Sequence, residues 1–300
     1  MKIAIAGGSG LIGDAITERL MSEGHHVYIL TRNLNKVTKQ GVTYVKWLDS
    51  NSAPENELDG IDVFINLAGE SIGGKRWTSA QKARILDSRI KATRSSISLM
   101  KKLDKKPSVF LNASAIGYYG CSDTLTFTES DVAAKTNFLS EVTKVWEEEA
   151  NAARDLNIRT VLIRTGVVLS EKGGALSQIV LPYRLFFGGT IGSGKQWVSW
   201  IHVDDLVRLV DFAMTNVTIE GPINATAPNP VQMKEFGKTI AKILNKPHWA
   251  PVPAIVLKGL LGEMNVLVAD GQKVLPDKAQ THGFRFLYPQ LESALRDILT

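Results

Sequence analysis

A run of glycines set between a short apolar segment and an amphipathic one constrains this chain more than any other feature. Ile3 to Ala6 are apolar, Gly7-Gly8-Ser9-Gly10-Leu11-Ile12-Gly13 follow, and Ala15 to Met21 space their apolar residues as a helix does. The pattern predicts strand, tight turn, helix. Glycines at 7, 10 and 13 each have a physical task. The first permits the turn, the second lets backbone approach a pyrophosphate, and the third lets helix pack on strand. N–H groups at the start of such a helix face an anion, where the dipole favours negative charge. The backbone from Gly7 to Gly13, with Gly10, Leu11 and Ile12 at its centre, is therefore expected to hold a dinucleotide. The alternative is an ordinary glycine-rich strand–helix turn with no ligand.

The next apolar run says which dinucleotide. Val27-Tyr28-Ile29-Leu30 reads as a second strand and ends in Thr31-Arg32-Asn33. A site for NAD usually has an acidic residue there, about 20 residues beyond the glycines, to bind the ribose 2′-hydroxyl. A carboxylate would repel a 2′-phosphate, whereas a guanidinium binds it with two hydrogen bonds. Thr31 and Arg32, with the Ser9 hydroxyl in the loop, therefore point to NADP(H) rather than NAD(H). Arg32 as a merely solvated surface arginine is the competing reading.

Composition places few further limits. The 300 residues suffice for one large or two modest domains. Hydrophobic content of 44% and charged content of 22% are those of an ordinary globular protein. The net charge of +5 is spread along the chain. Its densest cluster, Lys101, Lys102, Lys105 and Lys106, reads as a solvated helix end. No basic stripe with interleaved aromatics suggests nucleic acid as a partner. Cys121 is the single cysteine, so no intrachain disulfide can form. No apolar run reaches the roughly 18 to 20 residues of a membrane span, and the chain opens directly on a core strand. A cytoplasmic protein is expected, in which the sequons at Asn112, Asn216 and Asn224 are chance matches.

Strand-like runs at 2–6, 26–31, 42–46, 62–66, 108–113 and 159–164 alternate with helical patterns at 12–23, 80–103 and 138–155. Such alternation predicts an α/β fold, a doubly wound parallel sheet with ligands at the carboxyl ends of the strands. After about residue 170 the rhythm changes. Glycines and aromatics crowd from Gly173 to Trp200, and helical patterns follow at 204–215, 232–245 and 253–269. The expected organisation is a dinucleotide-binding domain over 1–170 and a smaller α/β substrate lobe over 171–300.

Segments spread over nearly the whole chain then resemble one family. They include the glycine loop, Asn66-Leu67-Ala68-Gly69-Glu70, Arg76-Trp77, Ser88-Arg89, Ser114 to Gly120, Arg164 to Leu169, and Trp200-Ile201-His202-Val203-Asp204-Asp205. In the tail are Pro251-Val252-Pro253, Gly262-Glu263-Met264, Gly271 to Pro276, and Gly283 to Phe286 before Tyr288-Pro289. Together they resemble the extended, atypical short-chain dehydrogenase/reductases, in the branch called epimerase family proteins. The resemblance implies a Rossmann domain and a C-terminal extension. It also implies that Leu67, Ala68 and Gly69 pass the cofactor ribose and pyrophosphate. Arg89 is then either a phosphate or ribose contact or a helix-surface salt bridge. Asp204 or Asp205 would cap a helix beside the cleft, and His202 is a candidate to face substrate.

Enzymes of this kind pair a proton-relaying tyrosine with a lysine four residues later, and add a serine for the substrate oxygen. That pair is not intact. The helix expected to carry it reads Phe138 to Glu147. If Lys144 is the lysine, the tyrosine position holds Ser140; if Glu147 sets the register, the two positions hold Leu139 and Thr143. A serine is a far poorer acid than tyrosine, whose pKa is ~10. Ser114, Tyr118, Tyr119 and Lys144 are therefore the catalytic candidates, with either tyrosine of the loop after Ser114 able to supply the proton or to pack beneath it.

Gly189 to Lys195 fits G-x-x-x-x-G-K, but Gln196 stands where a phosphate loop needs serine or threonine. A loop over the substrate cleft is the better reading. No metal-ligand spacing is present. The expectation is an NADP(H)-dependent oxidoreductase or epimerase-like enzyme acting on a small organic substrate, a sugar nucleotide by family analogy. The alternative is an NADP(H)-binding sensor or scaffold without turnover. Oligomeric state, monomer or homodimer, is left open.

Overall fold

Ile3 and Ile5 face one way and Ala4 and Ala6 the other, and all four are fully buried. That pattern arises because β1 (Lys2–Ala6) runs through the middle of a sheet covered on both faces. The protein is described here by a computed structural model for residues 1–34, 39–49, 51–134 and 136–300. Among these, seven parallel strands form the central sheet: β1, β2 (His26–Thr31), β3 (Val42–Lys46), β4 (Val63–Asn66), β5 (Val109–Ala115), β6 (Arg159–Thr165) and β7 (Gly221–Ala225). Their order is β3-β2-β1-β4-β5-β6-β7. Ile3 pairs with Val27 on one side and Val63 on the other, so the winding reverses beside β1. A crevice opens at the carboxyl ends of the strands at that reversal.

Two apolar layers sandwich the sheet. Ile3, Ile5, Ile29 and Ile65 pack against Ile16 and Leu20 of α1 (Leu11–Ser22). Ala4, Phe64, Phe110 and Leu162 pack against Leu99 and Met100 of α2 (Ser79–Lys102) and Ala150 of α3 (Phe138–Asn151). Thr78 caps α2 by accepting the Gln81 amide, and Lys101 and Lys102 end it as the lysine cluster suggested.

A third apolar cluster, including Leu176, Trp200, Phe236 and Leu295, comes wholly from the chain beyond Val167. It joins α4 (Ala175–Arg184), α6 (Met233–Leu244) and the terminal helix α8 (Leu291–Leu299), while α5 (Val203–Thr215) packs on α1. The helical pattern over 253–269 is broken. α7 (Ala254–Leu261) stops at Gly262, whose φ is +60°, and two single turns follow. The strand β7 was not foreseen in the sequence. It begins Gly221-Pro222, which suits an edge strand, and it places a late segment of chain beside β6. The chain beyond 170 thus contributes both to the central sheet and to this third apolar cluster.

Two carboxylates, Asp205 buried and Glu129 half-buried, tie the tail to this body. Asp205 is fully buried and accepts the amides of Leu287 and Tyr288 at 2.8 Å each. Glu129 accepts the amides of Asn224 and Lys278, and burial raises its pKa. No helix among the described residues is long and apolar enough to cross a membrane.

Candidate active site

The glycine turn leaves β1 with Gly7 at φ +82°, a conformation that suits glycine, and a Cβ there would sit 2.8 Å from the Leu67 carbonyl carbon. A Cβ on Gly13 would lie 2.4 Å from the Gly7 oxygen, so this position brings α1 onto the strand. Gly10 differs. The nearest atom to a Cβ there is 3.5 Å away, and the residue is exposed at the N-cap of α1 with no side chain capping the helix. The first amides of α1 thus open onto a cleft of about 1160 Å³. That exceeds the usual ~300–1,000 Å³ of a single-ligand pocket and suits a dinucleotide together with a substrate. Gly7, Gly10, Leu11, Ile12, Gly13, Leu67, Gly69 and Arg89 all line it.

Beyond β4 the chain is turned by Asn66. Its side-chain amide donates to Asn112 at 2.7 Å and to Thr93 at 3.1 Å, and its oxygen accepts the Ala68 amide. Trp146 donates to the same Thr93 hydroxyl, so β4, β5, α2 and α3 meet in one buried polar cluster. Arg89 of α2 is no surface salt bridge. Its guanidinium donates to the carbonyls of Glu70 and Ile85 and stacks 4.9 Å over the Trp146 ring. Burial pushes its pKa down to about 10. A Cβ on Gly69 would lie 3.2 Å from that guanidinium, so the two form one wall.

At the end of β5, Ser114 lines the cleft and donates to Glu147 at 2.6 Å. Glu147 in turn receives two 2.8 Å hydrogen bonds from Arg164 of β6. Burial works against the Arg164 charge, but the carboxylate more than offsets it and raises the pKa. Arg164 lies 3.5 Å over the Tyr118 ring and donates to the Tyr119 hydroxyl, which donates to Asn224. Tyr119 is completely buried, and burial pushes its pKa up to about 12. Neither tyrosine is among the cleft residues. Tyr119 is packed beneath the loop and Tyr118 is half-buried beside it, with the Arg164 guanidinium between them and Glu147.

Asn137 caps α3 by accepting the Ser140 amide, while Ser140 accepts the Asn137 amide. This cap sets which residues face inward. Leu139, Val142, Thr143 and Trp146 line the cleft; Ser140 and Lys144 do not. Of the two registers weighed from sequence, the structure therefore brings forward the one set by Glu147. Leu139 stands at the tyrosine position and Thr143 at the lysine position, its hydroxyl donating to the Leu139 carbonyl. Lys144 falls one step around the helix, away from the cleft.

Thr31, Arg32, Ser9 and Ala68 lie outside the residues lining the cleft. Thr31 ends β2, beside β1, and its hydroxyl holds the turn at Asn33; Arg32 and Ser9 are exposed nearby on the carboxyl edge of the sheet. Ala68 packs into the apolar layer under the sheet. His202 is not a substrate-facing group. It caps α5 itself, Nδ1 accepting the Asp204 amide at 3.1 Å, and stacks on Tyr288. Asp205 holds the tail instead of capping the helix. Gly189 to Lys195 packs on the extension through paired hydrogen bonds of Thr190 and Gly192 with Val252. Trp197–Val198 then forms a short strand, so no helix follows to cradle a phosphate.

A doubly wound sheet whose glycine turn opens on such a cleft defines a dinucleotide-binding Rossmann protein. The chain belongs to the NAD dependent epimerase/dehydratase family, whose model matches residues 3–225. Residues 252–298 match a separate domain of unknown function, DUF1731. Epimerase family protein YfhF of Bacillus subtilis (strain 168) is 50% identical over 299 residues, covering 100% of this chain and 98% of the relative. Human epimerase family protein SDR39U1 (isoform 2), solved with NADPH, superposes with a TM-score of 0.88 at 29% identity, over 99% of both chains. A nucleoside-diphosphate sugar epimerase from Corynebacterium glutamicum gives 0.79 at 32% identity, over all of this chain and 58% of the other.

Proposed function

We propose that the protein is an NADP(H)-dependent oxidoreductase or epimerase-like enzyme acting on a small organic substrate. The observation that carries this reading is the open backbone cradle at Gly10, where uncapped amides of α1 face a large cleft. The fit to a dinucleotide rests on that cradle, and the NADPH-bound human relative favours the phosphorylated form.

Gly7 and the backbone from Gly10 to Gly13 would hold the pyrophosphate. Leu67 to Gly69 and Arg89 would border the ribose. Arg32, with Thr31 and Ser9, would meet a 2′-phosphate. When bound, NADP(H) supplies or accepts a hydride at its nicotinamide. Ser114 would sit beside the reacting end. Its proton is committed to Glu147, so toward a substrate it offers lone pairs. The cofactor-shaped site is present without the usual phenol and ammonium.

That absence favours a second reading, an NADP(H)-binding sensor or scaffold without turnover. Its specific support is Leu139 and Thr143, neither of which can serve as a general acid or base at neutral pH. A fluorescence titration of the purified protein with NADPH and NADH, followed by oxidation assays on carbonyl compounds, separates the two. NADPH binding with substrate-dependent oxidation supports the enzyme, binding alone supports the sensor, and no binding overturns both.

A further inference from the structure

Resting on the cofactor reading above, we propose that the substrate end of the cleft takes an uncharged, largely apolar molecule, such as an aryl or long-chain ketone. On this reading it turns away nucleoside diphosphate sugars.

The walls beyond the glycine turn are hydrocarbon. Ile179, Pro182 and Phe187 line one side, and Leu257, Met264 and Leu267 of the C-terminal extension line the other. Met264 and Val266 join Leu139 in one apolar cluster. Hydrocarbon from the extension therefore reaches the position where a relay tyrosine would stand. At the mouth, Phe187 is 63% exposed and lies against Trp249, also 63% exposed. Apolar surface left in water at the entrance of an apolar cleft favours an apolar guest.

Charge points the same way. Among the described residues, the charged side chains lining the cleft are Glu70, Arg89 and Asp270. Arg89 is committed to two carbonyls and the Trp146 ring. The other two are carboxylates, Glu70 accepting from Gln81, and they supply no counter-charge for a diphosphate. Recognition of that group calls for arginine or lysine, most effectively in bidentate geometry. The cations nearest the extension, Lys75, Arg76, Lys82, Lys258 and Lys273, do not line the cleft; three of them have partners, Arg76 the Gly259 carbonyl, Lys82 Glu263, and Lys273 the Trp197 ring. Neutral polar groups such as Gln178 and Gln272 remain to orient a single carbonyl or hydroxyl.

The test is calorimetric, on the full chain saturated with NADPH, titrated with octanophenone and separately with UDP-glucose. Octanophenone should bind at least about tenfold more tightly than UDP-glucose. Leu267→Lys and Phe187→Lys change exposed side chains and should fold; each should weaken octanophenone about tenfold or more while leaving NADPH affinity unchanged. Tighter binding of UDP-glucose, binding of neither compound, or octanophenone binding indifferent to both substitutions would each overturn the proposal. The NADPH titration is read first. If NADPH fails to bind, the cofactor reading falls, and the same pair of compounds titrated into the free protein still decides the substrate preference.

Discussion

Glu147 and Arg164 face each other across the interior with both side chains under a tenth exposed and two hydrogen bonds of 2.8 Å between them. The pair joins α3 to β6 and receives Ser114 on one side and Tyr119 on the other. Removing one partner leaves the other charge buried. Glu147→Gln should therefore cost about 3–5 kcal/mol, measured by urea unfolding. Tyr119→Phe removes only a neutral hydroxyl from the same network and should cost about 1–3 kcal/mol. If a carbonyl-reducing activity is found, Tyr119→Phe should leave the pH profile of turnover unmoved. A shifted alkaline limb would return Tyr119 to the chemistry, because a general acid loses activity as pH rises through its pKa.

Gly10 and Gly13 predict opposite phenotypes. Gly10→Ala brings its methyl only into ordinary contact with the Gly7 oxygen, so the protein should lose no more than the roughly 1 kcal/mol of a poorer N-cap. The methyl would intrude where phosphates approach, and NADPH affinity should fall at least about tenfold, or ~1.4 kcal/mol. Gly13→Ala drives a Cβ into the Gly7 carbonyl and should lower stability whether or not a ligand is present. Equal loss of stability in both variants would show that the cradle is merely structural.

Arg32→Ala discriminates between cofactors. A charge-assisted contact to a 2′-phosphate contributes about 1.5–3 kcal/mol, so NADPH should weaken about ten- to a hundredfold. NADH should change little. A matched loss for both cofactors would remove Arg32 from the site.

His202 predicts a pH dependence of stability. Burial lowers its pKa below the ordinary histidine value of 6.5, against the pull of Asp204, Asp297 and Asp205. Between that lowered value and 6.5, the unfolded chain binds the extra proton and the folded chain does not. Stability is therefore lost as pH falls below 6.5. Protonation would also convert Nδ1 from acceptor to donor and break the cap on α5. His202→Asn keeps a good capping residue and should flatten this part of the stability–pH curve, followed by urea midpoints at several pH values. An unchanged slope would assign the effect to other groups, His248 among them.

The sheet was legible where the residues report their own surroundings. β1, β2 and β3 were expected and found over the same residues: β1 reads as a continuous apolar run because both its faces are buried, while the edge strand β3 shows through its β-branched and aromatic residues Val42-Thr43-Tyr44-Val45. The strand β7 escaped, since Gly221-Pro222-Ile223-Asn224-Ala225 carries little apolar signal and its place depends on β6. The glycine cradle was legible because each glycine answers to backbone a few residues away. Tyr118 and Tyr119 were not, because their fate is decided by Arg164, forty-five residues beyond Tyr119. The register of α3 had two readings until Asn137 and Ser140 were seen to cap it. Asp205 looked like a cap and proved to hold a segment more than eighty residues downstream.

The clasps made by Asp205 and Glu129 bear on how the C-terminal extension relates to the rest of the chain. A module that could come and go would leave behind a surface already at peace with water. Here, cutting away the segment that contains Lys278, Leu287 and Tyr288 would strip the buried Asp205 of two amide donors and the half-buried Glu129 of one. The extension is thus a keystone, and the fold and its tail have to be inherited, expressed and engineered as one piece.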